Sequence, residues 1–210
     1  MVFFALSLLP ASAMVALAQG HSPSTQGARA ANGPAPVVQR FNEALVSSMK
    51  SGAELGYKAR YGRLETVIDA TYDFRSIARL SVGDYWNALS SQQQQTLIKT
   101  LRRYTIANYA SEFDSYDGER FTVESQQQLR PGTEVVKSTF MGKSGQPEHR
   151  FEYVLHEVDD VWKVINVVVD GVSDLSMKRS QYRAIIRSQG FDTLIEKLDK
   201  RIDKLSGNSG

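Results

Sequence analysis

The side chains of this chain that could do chemistry are few, and their spacing argues against most of it. Gly171-Val172-Ser173-Asp174-Leu175 opens like a nucleophile elbow, the strained turn that lifts a serine hydroxyl above a parallel sheet, but the closing glycine is missing. A turn, with Ser173 or Asp174 capping the helix that follows, is the plainer reading. An activating base would have to be His149 or His156. They lie an odd number of residues apart on one expected strand, which sends them to opposite faces and spoils them as a metal pair. Asp114, Asp117 and Glu119 cluster at an expected helix-to-strand junction and read as solvated turn residues. Asp170 follows an apolar run and could be a semi-buried acid, either a general base or a structural partner of Arg179 or Arg183. Lys178, Arg179, Arg183 and Arg187 recur at near-helical spacing, as a solvated face or one that meets lipid headgroups or an acidic partner. No H-E-x-x-H or G-x-x-x-x-G-K string is present. Without cysteine there is no thiol nucleophile, Cys-ligated metal or disulfide. No metal, cofactor or catalytic residue is expected.

Charge is balanced, 25 basic against 23 acidic side chains for a net +2, which lacks the concentrated basic footprint that nucleic acid requires. Residues 1–18 are apolar and uncharged, and Ala16-Leu17-Ala18 offers small residues for cleavage before Gln19. A second candidate is Ala11-Ser12-Ala13, and a retained anchor is the alternative, although Pro10 opposes a stable spanning helix. Residues 1–18 are thus expected to be a signal peptide and residues 19–36, rich in Ser, Gly, Ala and Pro, a flexible linker in which His21 is solvated. Residues 37–206 are the size of one domain with a core of its own, and 207–210 a disordered tail. An exported domain has no pool of nucleotide or reducing cofactor, so its work narrows to binding, carrying or hydrolysing.

The periodicity places helices at 37–50, 61–71 and 74–80, a helical turn at 82–89 with Tyr85 and Trp86, and a long helix over 91–113. Asp73 is suited to cap the third helix, and Ser90 with Gln93 forms a capping box for the long one. After Asp117-Gly118 the period becomes two, giving antiparallel strands at 121–127, 134–141, 150–158 and 161–169. Two helices close the chain, 175–188 and 191–205, divided by Gly190. The fold class is α+β: N-terminal helices, a four-stranded antiparallel sheet and two C-terminal helices. The last strand is apolar on both faces, with Trp162, Val164 and Val168 on one and Val161, Ile165, Val167 and Val169 on the other, so it is covered on both sides. This fits a thick core and also one with a hollow in it, and the solid core is the default.

Eight short strings stand in order along the domain: Tyr72-Asp73-Phe74, Gly83 with Tyr85-Trp86, Ser90 with Gln93, Tyr109-Ala110, Trp162-Lys163-Val164, Asp170-Gly171-Val172-Ser173, Arg179 with Tyr182, and Gly190 with Leu194-Ile195. In this order and spacing they resemble the periplasmic MlaC, or toluene-tolerance, family, over about residues 37–200. Residues 57–72 and Tyr116-Asp117-Gly118-Glu119-Arg120-Phe121 are similar to its hopanoid-associated branch, HpnM. Asn166 departs from the resemblance, since many relatives carry Asp there. The resemblance implies a lipid carrier of the Gram-negative periplasm, not an enzyme, with an apolar cavity enclosed between sheet and helices. The implied cargo is phospholipid or hopanoid. The implied partners are an inner-membrane lipid transport complex or an RND-type permease, with an outer-membrane lipoprotein complex as a further one, and a monomer is expected. On that reading Tyr104, Tyr109, Phe140, Tyr153, Trp162 and Val172 lie near the lipid, against ordinary core packing for each, and Trp86 is structural. The alternatives are a cavity enzyme that uses Asp170 and a periplasmic adaptor that holds no ligand.

Overall fold

The structure is a computed structural model that describes residues 33–207. The expected signal peptide, most of the expected linker and the last three residues lie outside the described residues.

Helix α1, Pro34–Lys50, starts three residues before the expected 37. Pro34 and Pro36 sit inside its first turn, where a missing N–H costs nothing, rather than ahead of it. Its buried face carries Val38, Phe41, Asn42 and Leu45. Helix α2, Gly52–Thr71, is longer than the expected 61–71. It is broken at Gly56, whose φ of 66° and ψ of 171° leave the helical region. The kink is tied from within: the buried Arg60 donates from Nε to the Ala110 carbonyl at 2.9 Å and from Nη1 to the Gly52 carbonyl at 2.9 Å.

Helix α3, Phe74–Val82, is capped as expected, Asp73 Oδ1 accepting from Ser76 N at 2.9 Å. A 3-10 turn, Gly83–Ala88, leads to α4, Ser91–Glu112, whose Ser90–Gln93 capping box is formed in both directions. Trp86 is buried in the core.

The sheet follows as β1 (Arg120–Arg130), β2 (Thr133–Met141), β3 (Pro147–Val158), β4 (Val161–Val169) and β5 (Val172–Ser173), antiparallel and in sequence order. The expected four strands are therefore five. Asp170 and Gly171, at φ 50° and 82°, turn the chain so that Val172 pairs with Val169 and Ser173 with Val168. The run that opens like a nucleophile elbow is this hairpin. Ser173 Oγ accepts from Ser176 N at 3.1 Å and caps α5, Asp174–Gln189. Helix α6, Phe191–Leu205, closes the domain after Gly190. The chain between α2 and α3 covers part of the free edge of β4: Tyr72 bridges Val164, and Asp73 N donates to the Val164 carbonyl at 3.0 Å.

The two-faced apolarity of β4 has a local cause. Ile165 is an extra residue in its ladder with β3, since Val154 opposes Asn166 while Leu155 opposes Val164. This bulge switches the side-chain alternation. Val164, Val167 and Val169 consequently share the inner face with Phe151, Tyr153 and Leu155, which corrects the expected division of the strand.

The helices α1, α2 and α4 cover that face, with Phe41, Leu64, Ile68, Leu97 and Leu101 buried between. Helix α5 is held differently. Of its residues only Tyr182 is buried, and glycines at positive φ, Gly171 and Gly190, flank it. Among the described residues no helix is long and apolar enough to cross a membrane.

Candidate lipid-binding cavity

The helices do not cover the whole inner face of the sheet. At the end formed by the close of β2, the start of β3 and the close of β4, a cavity of about 600 Å³ remains between the sheet, α4 and the first turn of α5. Helix α4 presents Tyr109 and Phe113 to it, one turn apart on one face, and Tyr104 borders it from the side of the helix. The sheet adds Phe140, Phe151, Val167 and Val169, and Ile165 and Asn166 at the bulge border it as well. Tyr72, from the α2–α3 connection, and Met49 and Ile77 complete the wall.

The wall is largely aromatic and continuous. Tyr109 stacks on Phe113 at 5.7 Å between centroids, Phe113 meets Phe140 edge-on at 6.2 Å, and Phe41 supports Tyr109 from behind at 5.2 Å. The Tyr72 and Tyr109 hydroxyls are hydrogen-bonded to each other at 2.6 Å. Burial pushes both phenols above the usual tyrosine range, so neither is a source of protons for chemistry.

Charged side chains gather at the mouth, while Thr105, Asn108 and Asn166 add uncharged polar groups to the wall. Val172 and Met177 form an apolar lip, about half exposed. Lys178 lies along the rim with a largely buried stem, its Nζ paired with Asp174 and 5.6 Å from the centre of the Tyr104 ring. The Arg201 guanidinium approaches the same ring at 5.9 Å. Glu112, Glu119 and His149 stand on the opposite side. His149 Nδ1 is 2.7 Å from Asp170 Oδ2, and Asp170 Oδ1 accepts from Arg150 N at 2.8 Å. The backbone N–H of Arg150 and the His149 ring hold the Asp170 carboxyl below the usual range. Asp170 is thus an exposed, ionised turn residue, not the semi-buried acid the sequence allowed, and its partner is His149 rather than Arg179 or Arg183. Arg183 pairs with Asp84 instead, at 3.2 Å.

Four of the six expected lipid neighbours, Tyr104, Tyr109, Phe140 and Val172, line the cavity. Tyr153 faces inward but is fully buried behind the wall. Its ring meets Phe41 at 6.1 Å, and its hydroxyl donates to Asn42 Oδ1 at 3.0 Å. Trp162 lies at the other end of β4, in a surface groove beside Val37 and Val67. Sequence reasoning missed Tyr72, Phe113 and Phe151 as wall residues, although Tyr72 heads one of the recurring strings. Asn166 has work that needs no carboxylate: its Oδ1 accepts from Leu175 N at 3.1 Å and from Ser173 Oγ at 3.2 Å, pinning the start of α5.

A second hollow, about 650 Å³ between α1 and β1, is edged by Gln39, Glu43, Lys50 and Arg120. Burying an apolar chain there would desolvate charges, so the aromatic cavity is the candidate site. Among the described residues no three His, Asp or Glu side chains converge on a metal position.

The family model described as MlaC protein matches residues 39–200. The toluene tolerance protein ttg2D of Pseudomonas putida is 25% identical over 183 residues, which covers 85% of this chain and 82% of that one. The intermembrane phospholipid transport system binding protein MlaC of Haemophilus influenzae is 25% identical over 122 residues, 57% of each chain. A phospholipid-binding protein from Ralstonia solanacearum, solved in complex with a phospholipid, superposes with a TM-score of 0.72 over 81% of this chain and 97% of its own. Its 19% identity makes that a likeness of fold. With the match spanning most of the domain, the chain belongs to the MlaC protein family.

Proposed function

We propose that this protein is a lipid carrier of the Gram-negative periplasm, which withdraws the apolar part of one lipid at a time into the aromatic cavity and carries it between membranes. The observation that carries the reading is the shape and chemistry of that cavity: ring-lined and largely apolar inside, with an apolar lip and charged groups at its mouth. That is the polarity of a membrane lipid turned outside in. The relatives named for phospholipid transport and phospholipid binding support the same cargo class.

The magnitudes agree. At about 30 Å³ per methylene-sized group, taken as equal to a water's share of liquid volume, the cavity holds about 20 such groups, close to one long acyl chain. Burying about 16 methylenes at about 0.8 kcal/mol each is worth roughly 12 kcal/mol. Spontaneous escape is therefore slow, and unloading requires a partner that opens the cavity, an inner-membrane transport complex or an RND-type permease. A hopanoid is the second cargo, favoured by the flat ring faces of the wall, which suit a fused-ring skeleton. Nothing in this work needs a catalytic group.

The test is native mass spectrometry with lipid extraction on protein purified from a periplasm without detergent. A stoichiometric adduct of phospholipid or hopanoid mass is expected and names the cargo. A clean apo mass, with no uptake from liposomes, refutes the carrier.

A further inference from the structure

Among the aromatic residues of the wall, two buried hydroxyls meet, and their hydrogens can be counted. The Tyr72 and Tyr109 hydroxyls stand 2.6 Å apart, and either can be the donor. Each phenol carries one hydrogen, so the bond between them consumes one and leaves the other. No other hydrogen bond to either hydroxyl exists among the described residues. Tyr72 is more than nine-tenths buried, and both residues line the cavity. Their neighbours are rings: Phe41 lies edge-on to both, Phe74 stacks on Tyr72 and Phe113 on Tyr109. The remaining O–H therefore has no protein acceptor, a position that buried donors seldom keep. The hydrogen bond it already accepts polarises it and makes it the better donor.

An acyl tail made only of methylenes would leave this hydrogen unpaired. We propose that the Tyr72–Tyr109 pair donates one hydrogen bond to an acceptor oxygen that the cargo brings into the cavity, the ester carbonyl of an acylglycerol. The inference rests on the lipid-carrier reading and deepens it. The cavity recognises the ester junction of its cargo, not hydrophobicity alone, and sets how far the lipid enters. Tyr72 is delivered by the chain that bridges β4, and Tyr109 by the last turn of α4. The depth stop is thus built from two elements that meet only in the folded domain.

The experiment offers the delipidated protein vesicles that contain equal amounts of a diester phosphatidylethanolamine and its diether counterpart, which has the same headgroup and chain lengths but no carbonyl. Native mass spectrometry reads the ratio of the two adducts. One neutral hydrogen bond predicts a preference for the ester of about three- to tenfold. Either single change, Tyr72→Phe or Tyr109→Phe, leaves one hydroxyl with its hydrogen free, so part of the preference remains. The double variant Tyr72→Phe/Tyr109→Phe brings the ratio of ester to ether adduct to one. Equal uptake by the unaltered protein overturns the inference and leaves the carrier standing. So does a preference that survives in the double variant, since it would then arise elsewhere. Uptake of neither lipid overturns the carrier and the inference together. A measurement without any variant guards against misfolding: the infrared band of a 13C-labelled ester carbonyl, bound to the unaltered protein, shifts to lower frequency. A band at the frequency of an unbonded ester refutes the contact.

Discussion

Val172→Trp is the perturbation that tests the cavity most directly. Val172 is 52% exposed, on the two-residue strand at the mouth, so a larger side chain there does not have to displace the core. An indole brings about seven more heavy atoms than an isopropyl group. Turned inward, it takes the room of roughly three to four methylenes, each worth about 0.8 kcal/mol when buried, or about 3 kcal/mol of cargo binding. That is roughly a hundredfold in affinity. The assay is lipid loading from vesicles, read by native mass spectrometry, beside a thermal melt to show that the fold survives. Tryptophan emission reports where the new ring lies, and the native Trp86 and Trp162 both sit outside the cavity wall. A blue-shifted new emission with a weakened adduct is expected. Unchanged loading with a buried, blue-shifted indole would refute the assignment of this cavity.

Four further outcomes follow from the same geometry. Trp162→Ala, at the far end of β4, should leave lipid loading unchanged, and a titration with the same vesicles reads it. Arg60→Met removes two charged hydrogen bonds to buried carbonyls across the Gly56 kink and should cost about 3 kcal/mol, measured by urea unfolding. Asp73→Ala removes the α3 cap and should cost about 1 kcal/mol by the same method. The pH dependence of that loss has a definite sign. Burial alone would raise the Asp73 carboxyl, but hydrogen bonds from Ser76 and His156 outweigh it and hold it below its usual value. Its stabilisation is therefore complete above the unfolded carboxyl value near 4 and lost as pH falls through the lower folded value. The difference in urea midpoint between the native protein and Asp73→Asn should accordingly shrink as pH is lowered from 7 to below 3.

The order of elements was legible because each change of period is clean: the capping box at Ser90, the switch to period two after Gly118 and the break at Gly190 all stand where the sequence puts them. The start of α2 was not, because Gly56 interrupts its helical geometry and no continuous apolar stripe crosses the break. The bulge at Ile165 was hidden for a different reason. An extra residue in a ladder leaves composition untouched and shows only in the partner strand's register. The same limit governs the site. Period two says that Tyr153 and Phe151 face inward, but not that Phe41 and Asn42 of α1 seal the first from the hollow while the second borders it. Trp162 stands outside the cavity because it lies at the other end of β4, and periodicity along one strand does not tell its two ends apart.

Helix α5 has a consequence for how such a protein can change. Its first turn borders the mouth, yet Tyr182 is its one buried side chain, with Ile185 and Ile186 partly buried against the core and glycines at positive φ on either side. Segments attached so lightly come away at a free energy well below that of global unfolding. Cargo residence time and thermal tolerance are then set by different residues. On the proposed carrier reading, substitutions along α5, or at Asn166 and Asp84 that bond to it, would retune how long a lipid stays aboard, while the core of α1, α2 and α4 carries the melting temperature. Selection can adjust delivery without first having to defend the fold.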